Sequence, residues 1–316
     1  MNSSKHILII APYAFGYTKH IHTALEKHNE VSAQIIYLDK PVFEYRNLAH
    51  RLYNSISKIF GKNLKKSFVF DRIRNQVAQL PNQDVIFIIR PDILDDNTLK
   101  FLKSKTKDFI AYYYDSTRRF SRKLDIVHFF DKIYSYDKLD VEAHGFEFLT
   151  NYIFKVNKST TNKRLIFNIS TFDYRFPLLE KLAAYLKLKN WSYKILVYNG
   201  SPMESKYVEI ITEQKSIDEV AQLISESKII VEIQRGEQIG LSFRIFEALG
   251  QAKKLITTNQ DIVYYDFYKP QNILVIDEHD IIIPDDFVDS PYDDIDQKIL
   301  DKYKIDNWIK PIFNLE

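Results

Sequence analysis

Two doubly wound α/β domains facing each other across a cleft form the fold class the sequence predicts, on three observations. The chain's 316 residues are too many for one small core and suit two domains of about 150 residues each. Short apolar, β-rich runs alternate with helix-length amphipathic segments in two successive blocks, the rhythm of parallel sheets covered by helices. The charge divides the same way. Residues 1–155 carry 24 Lys+Arg against 17 Asp+Glu, and residues 156–316 carry 20 against 25, so a net +2 hides a basic half and an acidic one.

In the first block, strands are expected at 7–11, 33–38, 85–89, 109–114 and 132–135. Most are continuous apolar runs, as strands buried on both faces require. Helices are expected at 18–27, 46–60, 68–79 and 97–105. A polar Ser/Thr/Asn stretch at 156–163 reads as a linker. The second block follows as strand 164–169, helix 175–189, strand 193–197, helix 217–227, strand 228–233, helix 242–249, strand 254–258 and strand 272–276. The domains are therefore 1–155 and 163–296, both Rossmann-like, with a helical tail over 297–316 packing back across the junction. Ligands of such sheets sit beyond the carboxyl ends of the strands.

Composition excludes several kinds of chemistry. There is no cysteine, hence no disulfide, thiolate metal site or cysteine nucleophile. The seven glycines are spaced for neither G-x-G-x-x-G nor a P-loop, and G-x-S-x-G and H-E-x-x-H are absent. The longest apolar runs are strand-length, short of the ~18 residues that a membrane helix needs. The start of the chain reads as a first strand rather than a signal peptide, so a cytoplasmic location is expected.

The most informative window is 231–259, VEIQRGEQIGLSFRIFEALGQAKKLITTN. A buried strand ends near Ile233, and a loop with Arg235, Gly236, Gln238 and Gly240 follows. Ser242 is placed to cap a helix whose N-terminus, with its free N–H groups, points into the cleft. Gly236 and Gly240 suit close backbone approach, and Gly250 suits the position just past the helix end. Arg244 and Glu247, three apart, share a helix face. They form either an intrahelical ion pair or a site: arginine in the first turn opposes the helix dipole unless a phosphate stands in front of it, and Glu247 could then accept from ribose hydroxyls. A second phosphate position is offered by 170–175 (STFDYR), with Ser170 and Arg175, although an ordinary helix start fits equally.

From the strand through GLSFRIFEALG and KKLITTN to YYDFYKPQNILVID and DFVDSPY, roughly 228–292, the chain resembles the C-terminal donor domain of GT-B glycosyltransferases. The nearest likeness is to bacterial enzymes of lipopolysaccharide, capsule and related surface-glycan assembly. The resemblance implies a GT-B fold, a nucleotide-sugar donor, a glycan or lipid-linked acceptor, and Glu247 on the ribose with Arg244 and Arg235 on the diphosphate. The retaining branch often carries two glutamates separated by seven residues. Here the position eight before Glu247 is Ile239 and the nearest acid is Glu237, a departure from that pattern.

In the first half, Asp115 ends a buried strand where a general base reaching an acceptor hydroxyl belongs, or else caps the segment through Ser116 and Thr117. His20, beyond the first strand, is the other candidate base, and Tyr13 and Gly16 lie on the same acceptor side. No cofactor or metal is expected: Asp294 and Asp296, the one Asp-x-Asp in the tail, sit in acidic surface, and leaving-group charge falls to arginines and helix N-termini. The segment 46–74 holds eight Lys+Arg and one acid, with Leu48, Leu52, Ile56 and Phe60 at four-residue spacing. That apolar face is either core or a contact with anionic membrane, which would place the protein at the inner face of the membrane. The acidic second half argues against nucleic acid as a partner. A sugar-nucleotide epimerase of the same fold, or a non-catalytic partner in a glycan-assembly complex, are the alternatives.

Overall fold

The computed structural model describes residues 4–60, 62–158 and 163–316. The chain divides into two compact units, Met1–Leu149 with Ile312–Glu316, and Thr150–Pro311.

The first unit runs β1 (Lys5–Ala11), α1 (Tyr17–Leu25), β2 (Val31–Tyr37), α2 (Leu48–Ile59), α3 (Leu64–Ala78), β3 (Gln83–Ile89), α4 (Asp96–Lys103), β4 (Thr106–Tyr113), α5 (Arg122–Asp125), β5 (Lys132–Ser135), α6 (Lys138–His144) and β6 (Glu147–Phe148). Its sheet is parallel throughout, in the order β2-β1-β3-β4-β5-β6. The run Ile7–Ala11 is fully buried because both faces of β1 are covered. Leu8, Ile10, Ile86 and Ile88 face Ile73 and Val77 of α3 and Leu99 and Leu102 of α4. The alternate residues face the other layer, where Phe87 stacks on Tyr112 and meets Phe313 edge-on. Burying each such side chain contributes ~1.5–3 kcal/mol, so slipping one strand by a residue would forfeit an entire face. Asn47, Asn63, Asp95 and Asp137 cap α2, α3, α4 and α6 with their side chains. Helix α2 departs from the pattern: its apolar positions are exposed and its buried residues are Asn54 and Ser57. The core alternative for this face is therefore overturned.

The second unit runs β7 (Arg164–Thr171), α7 (Phe176–Leu188), β8 (Tyr193–Tyr198), β9 (Glu209–Ile211), α8 (Ile217–Ser225), β10 (Ser227–Glu232), α9 (Phe243–Gly250), β11 (Lys254–Thr257), β12 (Ile273–Val275), α10 (Asp285–Asp289), α11 (Gln297–Tyr303) and α12 (Ile305–Phe313). Its parallel sheet has the order β12-β11-β10-β7-β8-β9. Counted within the unit this is 6-5-4-1-2-3, the Rossmann order, with its switch point between β7 and β10. Ile166, Val197, Ile229 and Val231 pack under Leu179, Leu182 and Leu186 of α7. Phe167, Leu196, Ile230 and Leu255 face Ile224 of α8 and Ile245, Phe246 and Leu249 of α9. The result is three layers, helix–sheet–helix.

Residues 150–158, read from sequence as the end of the first domain and the start of a linker, belong to the second unit. Tyr152 is buried between Phe243 and Trp308, with ring centroids 5.0 and 4.7 Å away. Asn151 donates to the Leu241 carbonyl at 2.9 Å, and the Ile153 and Ile305 amides bond to the carbonyls of Tyr303 and Ile153. Four residues of the expected linker, 159–162, lie outside the described residues. The tail is helical, and α12 passes from the second unit into the first at Ile312. No described helix is long and apolar enough to cross a membrane.

Candidate functional site

At the switch point of the second sheet, two loops leave neighbouring strands. After β7 comes 172–175, leading into α7, and after β10 comes 233–241, leading into α9. Asp173 ties them together. It accepts from Arg175 through both carboxylate oxygens, at 2.9 Å from Nε and 2.8 Å from Nη2, and Arg235 Nη2 lies 2.9 Å from the same carboxylate. Arg175 also donates to the Ile233 carbonyl at 2.5 Å. Burial alone would raise the Asp173 pKa, but the Arg175 hydrogen bonds outweigh it and hold the carboxyl below its ordinary value. Two guanidiniums are thus fixed side by side at the carboxyl end of a Rossmann sheet, where the sequence placed phosphate contacts. The segment is also an ordinary helix start, with Arg175 at the N-cap of α7 and its amide donating to Asp173 Oδ1 at 3.0 Å, although both side chains are largely buried.

The β10–α9 loop is held from beneath. Gln234, buried, donates to the carbonyls of Gln238 and Gly240 at 2.9 and 3.0 Å, and its amide donates to Thr258 Oγ1. Asn259 donates to the Ile239 carbonyl, and Tyr174 Oη accepts from the Gly236 amide at 3.0 Å and donates to Glu237. Gly240 is buried, whereas a Cβ on exposed Gly236 would meet nothing, so that glycine is not demanded by packing. Gly250 is the last residue of α9 rather than the residue beyond it. A Cβ there would collide with the Lys155 carbonyl, and this approach is what selects glycine.

Several polar atoms at this end of the unit are buried without a partner. Asn168 donates its Nδ2 to the Val231 carbonyl but leaves Oδ1 unbonded, and Ser170 Oγ and Gln238 Oε1 are unbonded as well. Ser242 has the backbone of an N-cap but makes no cap bond. Its buried hydroxyl faces the Glu232 carboxyl without closing a hydrogen bond. Buried polar atoms are nearly always satisfied, and each one left open costs ~1–3 kcal/mol. Three such atoms lie on β7 and the β10–α9 loop, beside the two guanidiniums. Glu232 lies below, buried and accepting from Thr257 Oγ1 at 2.7 Å; burial raises its pKa against the pull of Thr257, Arg175 and Arg244. Asn168, Glu232 and Gln234 were not among the residues picked out from the sequence. The available signal was a polar residue interrupting an apolar strand, in LIFNIS and IIVEIQ.

Arg244 and Glu247 form the intrahelical ion pair that the sequence offered as one alternative. Glu247 is buried, while Arg244 keeps part of its guanidinium exposed near the head of α9.

In the first unit, the carboxyl ends of β3, β4 and β5 carry a polar network in which the Tyr136 hydroxyl, just after β5, is buried without a partner. Asp115, nearly buried, accepts from Arg119 at 2.6 Å, with Arg90 Nη1 3.8 Å from its other oxygen. Its carbonyl accepts from Lys123, a fully buried lysine whose pKa burial pushes down to about 8. Asp140 accepts from Ser116 Oγ, Thr117 N, Thr117 Oγ1 and Ser135 Oγ. Ser116 and Thr117 are therefore engaged by Asp140, and Asp115 does not act as the cap that was its alternative. His20 lies half-buried on α1, two residues before His22, which bonds the Ala33 carbonyl at 3.2 Å.

The switch point of this sheet lies between β1 and β3, and its loops are conformationally unusual. Ala14, Phe15 and Gly16 have φ of 45°, 58° and 105° in succession, and Arg90, directly after β3, has 63°. Gly16 is the residue there that adopts the left-handed region without strain, and it opens α1. Non-glycine residues held this way cost of order 1 kcal/mol or more each and concentrate at functional sites. Tyr13 is fixed by its amide to Asp39 at 2.8 Å, by Lys40 3.3 Å above its ring and by Tyr37 at its edge. Phe15 is half exposed beside it.

No group of three His, Asp or Glu side chains suited to a metal occurs among the described residues. Asp294 pairs with Lys158, and Asp296 caps α11 through the Lys298 amide.

No protein-family model and no curated protein sequence matches the chain. Solved structures do match. An α-glucosyltransferase solved with UDP and a 13-mer DNA is similar over 97% of this chain and 95% of its own, with a TM-score of 0.58 at 11% identity. The MnaA–UDP co-structure from S. aureus covers 99% of this chain and 98% of its own, with a TM-score of 0.53 at 11% identity. A UDP-GlcNAc 2-epimerase from Methanocaldococcus jannaschii covers 98% and 99%, with a TM-score of 0.51 at 10% identity. Together with the two six-stranded parallel sheets, these likenesses establish the fold: the chain consists of two Rossmann-like α/β domains, the GT-B fold.

Proposed function

We propose that this protein is a glycosyltransferase that moves a sugar from a nucleotide-sugar donor to a hydroxyl of a glycan or lipid-linked acceptor, in the assembly of bacterial surface polysaccharide at the inner face of the membrane. The observation that carries this reading is the set of unpartnered buried atoms, Asn168 Oδ1, Ser170 Oγ and Gln238 Oε1, beside the paired guanidiniums of Arg175 and Arg235. A diphosphate brings the acceptors that two arginines need, and a nucleoside brings donors for the open carbonyl oxygens.

In this reading Arg235, the more exposed of the two, turns from Asp173 to the diphosphate while Arg175 keeps the loops together. Ser170 and Ser242 bond phosphate oxygens, and the buried turn at Gly240 lets the backbone approach. Glu247 binds the ribose, and Arg244, its partner on the same face, adds charge near the phosphates. The acceptor oxygen attacks the anomeric carbon as the bond to phosphate oxygen breaks, and the nucleoside diphosphate leaves with the bonding pair. The arginines stabilise that charge, and no metal takes part. Asp115 accepts the acceptor's proton on the oxygen opposite Arg119, with His20 as the alternative base, and the loop of Tyr13 and Gly16 presents the acceptor.

Titration calorimetry with UDP-, GDP-, dTDP- and CMP-sugars tests the reading. One donor should bind, and Gln238→Leu should weaken it ~5–10-fold, the effect of one lost buried hydrogen bond. Binding of none of them refutes it. The likeness to a UDP-GlcNAc 2-epimerase favours a second reading, in which the same site alters the sugar of its nucleotide without an acceptor. Release of an isomerised sugar nucleotide in acceptor-free buffer would establish that reading instead.

A further inference from the structure

Helix α2 is built inside out. Its apolar residues Leu48, Leu52, Ile56 and Ile59 recur on one face and are 83%, 62%, 50% and 81% exposed. Tyr53 and Phe60 extend the same surface at 59% and 76%. Facing inward instead are Asn54 and Ser57. Asn54 fixes this orientation with two hydrogen bonds: its Nδ2 donates to Tyr45 Oη at 2.7 Å, and its Oδ1 accepts from the Leu64 amide at 2.8 Å. A ring cluster of Phe43, Tyr45, His50 and Phe68 supports the turn beneath. Rotating the helix to bury its leucines would break the Asn54 bonds, so exposure of the apolar ridge is specified by the sequence.

The surroundings of the ridge are one-signed. Arg46, Arg51, Lys58, Lys62, Lys65 and Lys66 are all exposed, and no acid occurs between Glu44 and Asp71. Arg72 and Arg74 are otherwise engaged, with backbone carbonyls and with Asp71. A second copy docking through this face would bring two such basic clusters together, since a two-fold contact is self-complementary. A twelve-residue helix with exposed charges is too short to span a bilayer. An apolar ridge bordered by lysine and arginine is what a helix lying in the headgroup layer requires, its ridge ~5–10 Å deep and its cations on lipid phosphates.

We propose that α2 is an interfacial anchor that seats the first unit on an anionic lipid bilayer, with Leu48, Leu52, Ile56 and Ile59 in the acyl boundary and the flanking lysines and arginines on the headgroups. This anchor stands independently of the sugar-transfer reading. The mixed apolar and basic face calls for both terms at once, so the binding is selective for anionic lipid and weakened by salt.

The test is co-sedimentation of the full chain with phosphatidylcholine vesicles, with and without phosphatidylglycerol. The protein should pellet with the anionic vesicles only, and added salt should release it. Lys58→Glu with Lys62→Glu and Lys65→Glu should weaken partitioning by roughly a hundredfold or more, at about tenfold or less per charge. Leu52→Glu with Ile56→Glu should weaken it at least ~10-fold, with an unchanged melting temperature because both positions are exposed. Phe60→Trp, which keeps the surface apolar, should show blue-shifted emission on anionic vesicles. Failure of the wild type to bind anionic vesicles overturns the proposal. So does a ridge variant that binds as well as the wild type, or a ridge variant whose only effect is to abolish a concentration-dependent dimer.

Discussion

The carboxyl ends of the two sheets differ in how their charged groups are engaged. In the second unit, buried polar atoms of Asn168, Ser170 and Gln238 are left open beside two fixed guanidiniums. In the first, the charged groups engage one another, with the Tyr136 hydroxyl and Arg72 Nε left open: Asp140 takes four hydrogen bonds, Asp115 is held by Arg119, and Lys123 bonds the Asp115 carbonyl. Strain rather than open bonding marks the first unit's switch point, at Ala14, Phe15 and Arg90. In the proposed reading, open atoms at fixed positions suit a donor of fixed shape, and a strained loop suits an acceptor that the loop itself contacts.

This contrast can be broken by substitution. The largest effect is expected in the first unit's network. Asp140→Ala leaves Thr117 N and three hydroxyls without their acceptor and should cost ~3 kcal/mol or more in denaturant unfolding; a loss under ~1 kcal/mol would show the network to be loosely held. Lys123 gives a pH signature. Its folded pKa of about 8 lies below the ordinary value of 10.5, so the unfolded chain binds the extra proton between these values. This group's contribution to stability should therefore rise from pH 8 to 10.5, by about 2–3 kcal/mol, and be flat below 8. Lys123→Met should remove that slope; an unaltered slope would assign the dependence elsewhere.

Gly250→Ala should cost ~1–3 kcal/mol, because the Lys155 backbone must shift to admit a methyl group. Wild-type stability in the variant would mean that residues 150–158 are not packed as described. The smallest stability effect belongs to the open site. Ser170→Ala removes a hydroxyl that bonds to nothing, so unfolding should change by less than ~0.5 kcal/mol while nucleotide binding weakens. A large loss of stability there would erase the difference between the two units.

Much of this was legible from the sequence because burial on both faces writes strands as continuous apolar runs. VIFII, IIV and KLIT are strands where expected, and parallel sheets covered by helices follow from their alternation with helices. Short polar elements were not legible: α6, with the sequence KLDVEAH, is held by the Asp137 cap and its packing rather than by a long apolar stripe. The orientation of α2 was not legible either, since its periodicity shows a ridge and only the Asn54 bonds decide which way it faces. Arg175, Arg235, Ser170 and Gln238 were singled out through loop position and residue type, and the fold brings them to one end of the second sheet. Asn168, Glu232 and Gln234 were hidden because their importance comes from partners distant in sequence, such as Val231, Thr257 and Gly240.

The most direct test of the open-site account is calorimetric titration of nucleoside diphosphates onto the wild type and Arg235→Ala. Arg235 adds one ion pair to Asp173, while Arg175 joins the loops through Asp173 and the Ile233 carbonyl, so loss of the Arg235 side chain should leave the fold intact. The wild type should bind one of UDP, GDP or dTDP, and the variant should bind it ~10-fold or more weakly, the effect of one charge-assisted contact. Equal affinity in the two proteins, or no binding by the wild type, would contradict the account.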